Sequence, residues 1–261
     1  MKYAIIGAGA MGGAIAEGLL KSGACAPQEM TVSNPSAGKL KKFSEAGAAV
    51  TSDNVKAVES GAGTIIVAVK PWLVEQVLKE IAPVLDAGRQ SLLICAAGVS
   101  GAAVQAALGD KKDASIFIIM PNTAISIGAS MTFIVPVNAD EAAAARVREV
   151  FAALGDAMVI TEKQLPAATA LASCGIAYAM RYVRAASEGG VELGFKADLA
   201  EKIVLQTMQG AVGLLQTTGN HPEAEIDKVT TPGGITIKGL NAMEEAGFTN
   251  AVIRGLKASV K

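Results

Sequence analysis

The stretch Lys2-Tyr3-Ala4-Ile5-Ile6-Gly7-Ala8-Gly9-Ala10-Met11-Gly12-Gly13-Ala14-Ile15-Ala16-Glu17-Gly18-Leu19-Leu20 decides how the rest of the chain is read. Tyr3 to Ile6 read as a short buried strand, Gly7 to Gly12 as a tight turn, and Gly13 to Leu20 as the start of a helix built from small residues. In that order the G-x-G-x-x-G turn suits a dinucleotide. Gly7 permits the turn, Gly9 lets a pyrophosphate approach the backbone, and Gly12 lets the helix pack closely on its strand. The phosphates would then meet free N–H groups at a helix N-terminus, where the dipole favours negative charge. A glycine triplet also serves plain helix–strand packing, but the strand before it and the helix after it favour a cofactor.

The chain of 261 residues is 51% apolar and 18% charged, with a net charge of −1. It is long enough for one large or two ordinary domains, and disorder is not expected. Without a basic cluster, nucleic acid is not an expected partner, because displacing counterions takes a dense positive patch. Three cysteines, Cys25, Cys95 and Cys174, lie far apart and build no disulfide framework, so a reducing cytoplasm is expected, and no metal site. With a strand starting so early, no cleaved signal or transit peptide is expected. The uncharged runs 90–109 and 114–139 are broken by glycine and proline, which argues against membrane spans. Both read as buried strands with turns between them.

Further along, Met30 to Ser33 reads as a second strand ending at Asn34-Pro35-Ser36. The acidic residue that grips a ribose 2′-hydroxyl in NAD sites is missing about there. Ser33, Asn34 and Ser36 offer short donors and Lys39 a positive charge, which suits a 2′-phosphate: NADP(H) is preferred and NAD(H) is possible. Alternatively, Ser33 to Ser36 only cap the helix 37–46. Short strands at 49–51 and 64–69 follow, with a helix at 53–60 between them. Lys70 stands at a strand's carboxyl end, where α/β sheets bind ligands, yet Lys70-Pro71 equally starts the helix 72–85. Strands at 92–95, 116–119, 130–135 and 157–160, with a helix over 140–154, complete a doubly wound α/β sheet. Ala96-Ala97-Gly98 is small enough for a flat ring to lie against the backbone.

Strand signals stop near Ile160, which predicts a dinucleotide-binding Rossmann domain over 1–160 and an all-helical domain over 161–261. The run 165–188 is too apolar to face water on all sides. Leu199, Ile203, Met208, Ala211, Val212 and Leu215 fall at helical spacing, with Asp198 and Glu201 in a capping-box arrangement. Such faces suggest an interlocked homodimer, because monomers rarely expose large apolar patches.

The stretch Thr230-Thr231-Pro232-Gly233-Gly234-Ile235-Thr236-Ile237-Lys238-Gly239-Leu240 is the second chemically loaded one. Thr231 is a natural N-cap and Pro232 a natural first helical residue. Gly233 and Gly234 would expose backbone N–H groups to a carboxylate, with the Thr236 hydroxyl one turn in. A helix start with glycines for clearance explains the same residues. His221, the only histidine, sits in a turn-like sequence where a capping role outweighs acid–base work. A chain so poor in acid–base groups suits reduction of a protonated imine, since hydride addition itself neutralises the nitrogen.

In order and spacing, Gly7 to Gly12, Ala68-Val-Lys-Pro71, Cys95-Ala-Ala-Gly98, Met120-Pro-Asn-Thr123, the 173–178 stretch and above all 230–240 resemble the pyrroline-5-carboxylate reductase family over the whole chain. The resemblance implies NAD(P)H-dependent reduction of a cyclic imine carboxylate, 1-pyrroline-5-carboxylate, to L-proline by a Rossmann domain joined to a helical dimerisation domain. It further implies homodimers, which in the family assemble into rings. Carried over by position, Ile6, Gly7, Ala8, Gly9, Ala10, Met11, Ser33, Asn34, Asn54, Ala68, Lys70, Cys95 and Ala97 would contact the cofactor. Val229, Thr231, Gly233, Gly234, Ile235 and Thr236 would hold the substrate, with the catalytic hydroxyl of Thr236 on the ring nitrogen. The chain departs from the family pattern at 172–176, at Ala124 and at Lys238. A related ketimine reductase and a non-catalytic NADPH-binding regulator are the rival readings. β-Hydroxyacid dehydrogenases are disfavoured because Ala179 occupies the position of their catalytic lysine.

Overall fold

The computed structural model describes residues 2–260. The chain divides into two compact units, one ending at Ser173 and the other beginning at Cys174. The first is built on one eight-stranded sheet. Its strands are β1 (Tyr3–Ile6), β2 (Met30–Ser33), β3 (Ala49–Thr51), β4 (Thr64–Val67), β5 (Ser91–Ile94), β6 (Ser115–Met120), β7 (Ser130–Asn138) and β8 (Gly155–Val159), in the spatial order β3-β2-β1-β4-β5-β6-β7-β8. All pairs are parallel except β6 with β7. That inversion follows from the short link between the two strands, a 3₁₀ turn over Thr123–Ile127, since a parallel return needs a crossover of a dozen or more residues.

In the central strands the apolar runs are buried on both faces, as a sheet covered by helices on both sides demands, whereas Val50 on β3 and Met158 and Val159 on β8 stand exposed at the edges. Tyr3 and Ile5 point into one core cluster with Ile66, Leu93 and Phe117, whereas Ala4 and Ile6 join Ile65, Val67, Leu92 and Ile94 in another. Six helices accompany the sheet: α1 (Ala10–Lys21), α2 (Ala37–Glu45), α3 (Asn54–Glu59), α4 (Pro71–Ile81), α5 (Gly101–Leu108) and α6 (Glu141–Ala152). The clusters place α1, α2 and α6 on one face and α3, α4 and α5 on the other. Each fully buried Ile or Leu here contributes roughly 1.5–3 kcal/mol.

Helix α5 corrects the expectation of strands and turns alone across 90–109. Its signals are local: Ser100 caps it by accepting from the Ala103 N–H (3.2 Å), Val104 and Leu108 are buried one turn apart, and Gly109 ends it. The Ala-rich sequence lacks the polar face that would have marked an amphipathic helix. The buried Gln90 earns its place by bonding three backbone groups. It donates to the Val58 and Ala62 carbonyls (3.2 and 2.9 Å) and accepts from the Asp86 N–H (2.9 Å).

Beyond β8 the chain turns helical, but the first unit continues. Short helix α7 (Leu165–Ala168) lays Leu165 and Ala168 against Ile118, Met120, Phe133 and Val135, and a π-helical turn spans Thr169–Cys174. Strand signals therefore stop before the compact unit does. The second unit holds α8 (Gly175–Glu192), α9 (Ala197–Thr218), α10 (Pro222–Lys228), α11 (Ile235–Glu245) and α12 (Phe248–Ala258). Helices α8 and α9 pack together, with Gly190 close enough to Ala200 that a Cβ would lie 3.0 Å from its methyl. The expected Asp198–Glu201 capping box is not formed: α9 starts after Lys196 and Asp198 lies within its first turn. Among the described residues, none of the helices is long and apolar enough to cross a membrane.

Gly155 carries φ +139° at the start of β8, and a Cβ there would lie 2.1 Å from the Ser130 carbonyl oxygen. Gly155→Ala is therefore expected to lose at least about 2 kcal/mol of stability by overpacking and backbone strain. Urea unfolding midpoints measure this, and an unchanged midpoint contradicts the packing described.

Candidate cofactor and substrate sites

The glycine turn lies between the carboxyl ends of β1 and β4, where the strand order reverses. Gly7 has φ +102°, and a Cβ on it would lie 2.5 Å from the Ala68 carbonyl oxygen. A Cβ on Gly12 would lie 1.9 Å from the Gly7 oxygen, so both glycines are required by packing. Gly9 differs, because nothing lies within 4 Å of its Cβ position. The first intrahelical bond of α1 runs from the Gly13 N–H to the Gly9 carbonyl, which leaves the N–H groups of Ala10, Met11 and Gly12 without helical acceptors. Open space beside orphan donors at a positive helix end fits a pyrophosphate.

A cleft of about 600 Å³ opens from this point. It brings together Ile6, Gly7, Gly9, Ala10, Met11, Ser33, Asn34, Asn54, Ala68, Lys70, Cys95 and Ala97 from the expected set. Ala8, Gly12 and Ser36 do not line it. Ala8 gives its N–H to the Asn34 Oδ1 (3.1 Å), Gly12 is consumed by packing, and Ser36 stands at the N-cap of α2 without a side-chain capping bond. Ala8 and Gly9 instead border an adjoining depression with Gly38, Lys39, Lys41 and Lys42.

The structure gives Ser33 and Asn34 a different task from the 2′-phosphate donors expected of them. Ser33 is fully buried and donates its hydroxyl to the Asn54 Oδ1 (2.7 Å). Asn34 clamps the loop by accepting from Ala8 and donating to the Ser36 carbonyl (3.3 Å). Lys39, which lines both hollows, and the start of α2 remain free to meet a 2′-phosphate. Sequence reasoning missed the contribution of α4, whose Leu73, Gln76, Val77 and Glu80 form a wall of the cleft. Their signal was positional only: they share one face of the helix that follows Lys70. Both readings of Lys70-Pro71 hold geometrically, since Lys70 lines the cleft and Pro71 is the first helical residue. Burial pushes the Cys95 thiol up to about 12, so it meets a ligand as a neutral apolar group. Burial, with the Glu29 charge second, raises Cys25 to about 11.

In the second unit, Thr231 to Gly234 form a β-turn rather than a helix start. The Gly234 N–H donates to the Thr231 carbonyl (2.9 Å), and Gly233 carries φ +70°, which with Pro232 at the preceding corner makes the turn type II. Helix α11 begins three residues later than expected, with Gly234 as its N-cap. The Gly234 N–H is thereby spent, so the donors free to meet an anion are those of Gly233 and of the first turn, Ile235 and Thr236. Ile235 and Val229 stand exposed at 88% and 62%, apolar groups flanking these donors. His221 caps α10, its Nδ1 accepting from the Glu223 N–H (3.2 Å), in keeping with the capping role expected.

A Rossmann sheet with a glycine turn and cleft at its switch point suits a dinucleotide, and the match of residues 2–98 to the family described as NADP oxidoreductase coenzyme F420-dependent makes the class an NADP(H)-dependent oxidoreductase. Residues 162–261 match the family described as pyrroline-5-carboxylate reductase dimerisation. Pyrroline-5-carboxylate reductase 2 of Dictyostelium discoideum is 34% identical over 99% of this chain and 90% of its own length. Pyrroline-5-carboxylate reductase 1 of the same organism is 38% identical over 98% of this chain, which spans about half (48%) of that relative. The crystal structure of Plasmodium falciparum pyrroline carboxylate reductase with NADP bound superposes with a TM-score of 0.89 at 26% identity, covering 100% of this chain and 95% of the other. The chain belongs to the pyrroline-5-carboxylate reductase family.

Two outcomes follow from this geometry. Ser36→Asp keeps a good N-cap but sets a carboxylate beside Lys39, so it is expected to raise the Kd for NADPH about tenfold while sparing NADH; equal effects on both would refute a 2′-phosphate at α2. Cys25 and Cys95 are expected to resist iodoacetamide at pH 8 in the folded protein and to react in urea, with peptide mass mapping as the readout.

Proposed function

We propose that this protein reduces 1-pyrroline-5-carboxylate to L-proline with NADPH. The observation that carries the reading is the pairing, in one chain, of a glycine-built cleft for a dinucleotide with a second glycine turn whose donors suit a carboxylate. NADPH supplies the hydride when bound. The N–H groups of Ala10, Met11 and Gly12 hold its pyrophosphate, Lys39 and the start of α2 its 2′-phosphate, and Ala96, Ala97 and Cys95 present an apolar surface to its ring. We assign Ser33, Asn34, Asn54, Ala68 and Lys70 to the same cleft.

On the substrate side, the Gly233, Ile235 and Thr236 N–H groups hold the carboxylate, and Val229, Thr231 and Gly234 shape the loop around it. The Thr236 hydroxyl hydrogen-bonds the ring nitrogen. Hydride adds to the carbon of a protonated C=N bond, the bond's electron pair moves to nitrogen, and the cationic nitrogen becomes a neutral amine. No side chain has to remove a proton for this step, which suits a chain whose only histidine is occupied as a helix cap.

The division of labour follows the change in sequence character: residues 1–160 bind the cofactor, and 161–261 dimerise and bind substrate. A homodimer is supported by the second unit itself, where Ala200 is the only buried residue among those described from Cys174 on, while Met180, Leu199, Leu205 and Leu214 are exposed. A second copy covering α8 and α9 supplies the missing core. Dimers assembling into a ring, in a cytoplasmic setting that keeps Cys25, Cys95 and Cys174 reduced, complete the proposal.

NADPH oxidation on adding 1-pyrroline-5-carboxylate tests the activity, with 1-piperideine carboxylates as the competing class; turnover only on the latter would assign another cyclic imine, and none at all a regulatory role. Thr236→Ala is expected to lower kcat/KM about a hundredfold with the NADPH Kd unchanged. A fall in NADPH affinity instead would remove Thr236 from the substrate site. Sedimentation should return twice the 26.4 kDa chain mass or an even multiple of it, and a monomer would refute the helical interface.

A further inference from the structure

Glu80 is the one acidic side chain among the described residues that line the cofactor cleft, where it stands with Lys39 and Lys70. It reaches in from α4, one turn beyond Gln76, and its Oε2 accepts from the Asn54 Nδ2 (3.0 Å). The Asn54 Oδ1 in turn accepts from the buried Ser33 hydroxyl (2.7 Å). An ionised carboxylate only accepts, so Glu80 fixes which end of the Asn54 amide faces it and leaves a second amide N–H available to a ligand. The other carboxylate oxygen, Oε1, has no hydrogen-bond partner among the described residues.

Strand β2 ends at Ser33 and is followed by Asn34, without the acid that grips a ribose 2′-hydroxyl in NAD sites. Glu80 brings a carboxylate to the same end of the cleft from a different element. We propose that Glu80 is a specificity-determining residue that keeps NADH usable: its free oxygen accepts a 2′-hydroxyl, and its charge opposes the 2′-phosphate that Lys39 attracts. Cofactor preference is then set by two side chains of opposite sign, Lys39 on α2 and Glu80 on α4. This rests on the reading of the cleft as the NADP(H) site.

The test is the Kd of NADPH and of NADH, from cofactor fluorescence, for the full-length protein and its Glu80→Gln and Glu80→Ala variants. Glu80→Gln keeps an acceptor for Asn54, removes the charge and turns the second oxygen into an NH₂ donor. It should tighten NADPH roughly fivefold, the factor for about 1 kcal/mol between unit charges some 4 Å apart in water, while weakening NADH, and added salt should shrink the NADPH gain. Glu80→Ala, which also frees Asn54, should bind both cofactors more weakly than Glu80→Gln yet keep the shifted ratio. An unchanged NADPH-to-NADH ratio in Glu80→Gln, or equal weakening of both, overturns the proposal by reducing Glu80 to a prop for Asn54. Wild-type protein that binds neither cofactor overturns the cleft assignment, and this proposal with it.

Discussion

The first unit depends on a backbone contact that only glycine permits. Helix α1 meets the turn after β1 so closely that a single methyl on Gly12 would overlap the Gly7 carbonyl, and Gly7 itself sits against Ala68 at the end of β4. Because the chain approaches itself there without side chains between, the orphan N–H groups of α1 point into the mouth of the sheet. The strand order reverses at the same place, so the helices that follow β1 and β4 part on opposite faces and leave the cleft between them. Packing and binding are therefore one constraint: the glycines that close the fold are those that expose the donors.

Polar side chains around the cleft are spent on holding it in shape. Asn34 ties Ala8 to Ser36, and Ser33, Asn54 and Glu80 form a chain from the buried end of β2 to the surface of α4. Each of these bonds gives a buried or half-buried group the partner it would otherwise lose on leaving water. Pre-set loops of this kind lower the ordering cost of binding, since the groups that meet the ligand do not have to find their places first. The glycine turn in the second unit follows the same economy, with Gly233 in a left-handed conformation and Gly234 closing a type II turn ahead of α11.

The second unit inverts the balance of the first. Its helices are well formed and its apolar positions recur at helical spacing, yet in one chain they enclose almost nothing. Helical stability in proteins comes mainly from burying an apolar face, not from local propensity. Leu199, Ile203 and Val212, predicted as a packing face, are 44–48% exposed, so the energy that fixes these helices comes from a surface outside the chain's own core. Membership of a family whose C-terminal model is described by dimerisation agrees with that physics.

The sequence by itself determined the sheet, the glycine turn, the change to helix near residue 160 and the resemblance that carried the site, because short-range periodicity and backbone freedom are written residue by residue. It also placed His221 correctly as a cap, a role decided by its immediate neighbours. What it could not determine were features decided by contacts between distant residues. Helix α5, made of alanines with no polar face, has local caps at Ser100 and Gly109, but its buried side shows only once Val104 and Leu108 are seen under the sheet. Ser33 reads as an available donor until Asn54, twenty-one positions on, takes its hydroxyl, and Glu80 carries no signal until α4 is laid along the cleft. The start of α11 moved for a local reason, because the Gly234 N–H turns back to Thr231 three positions before it and the turn replaces the first helical residues. Residue type and spacing fix which groups are offered; only the tertiary structure decides which of them other groups have already claimed.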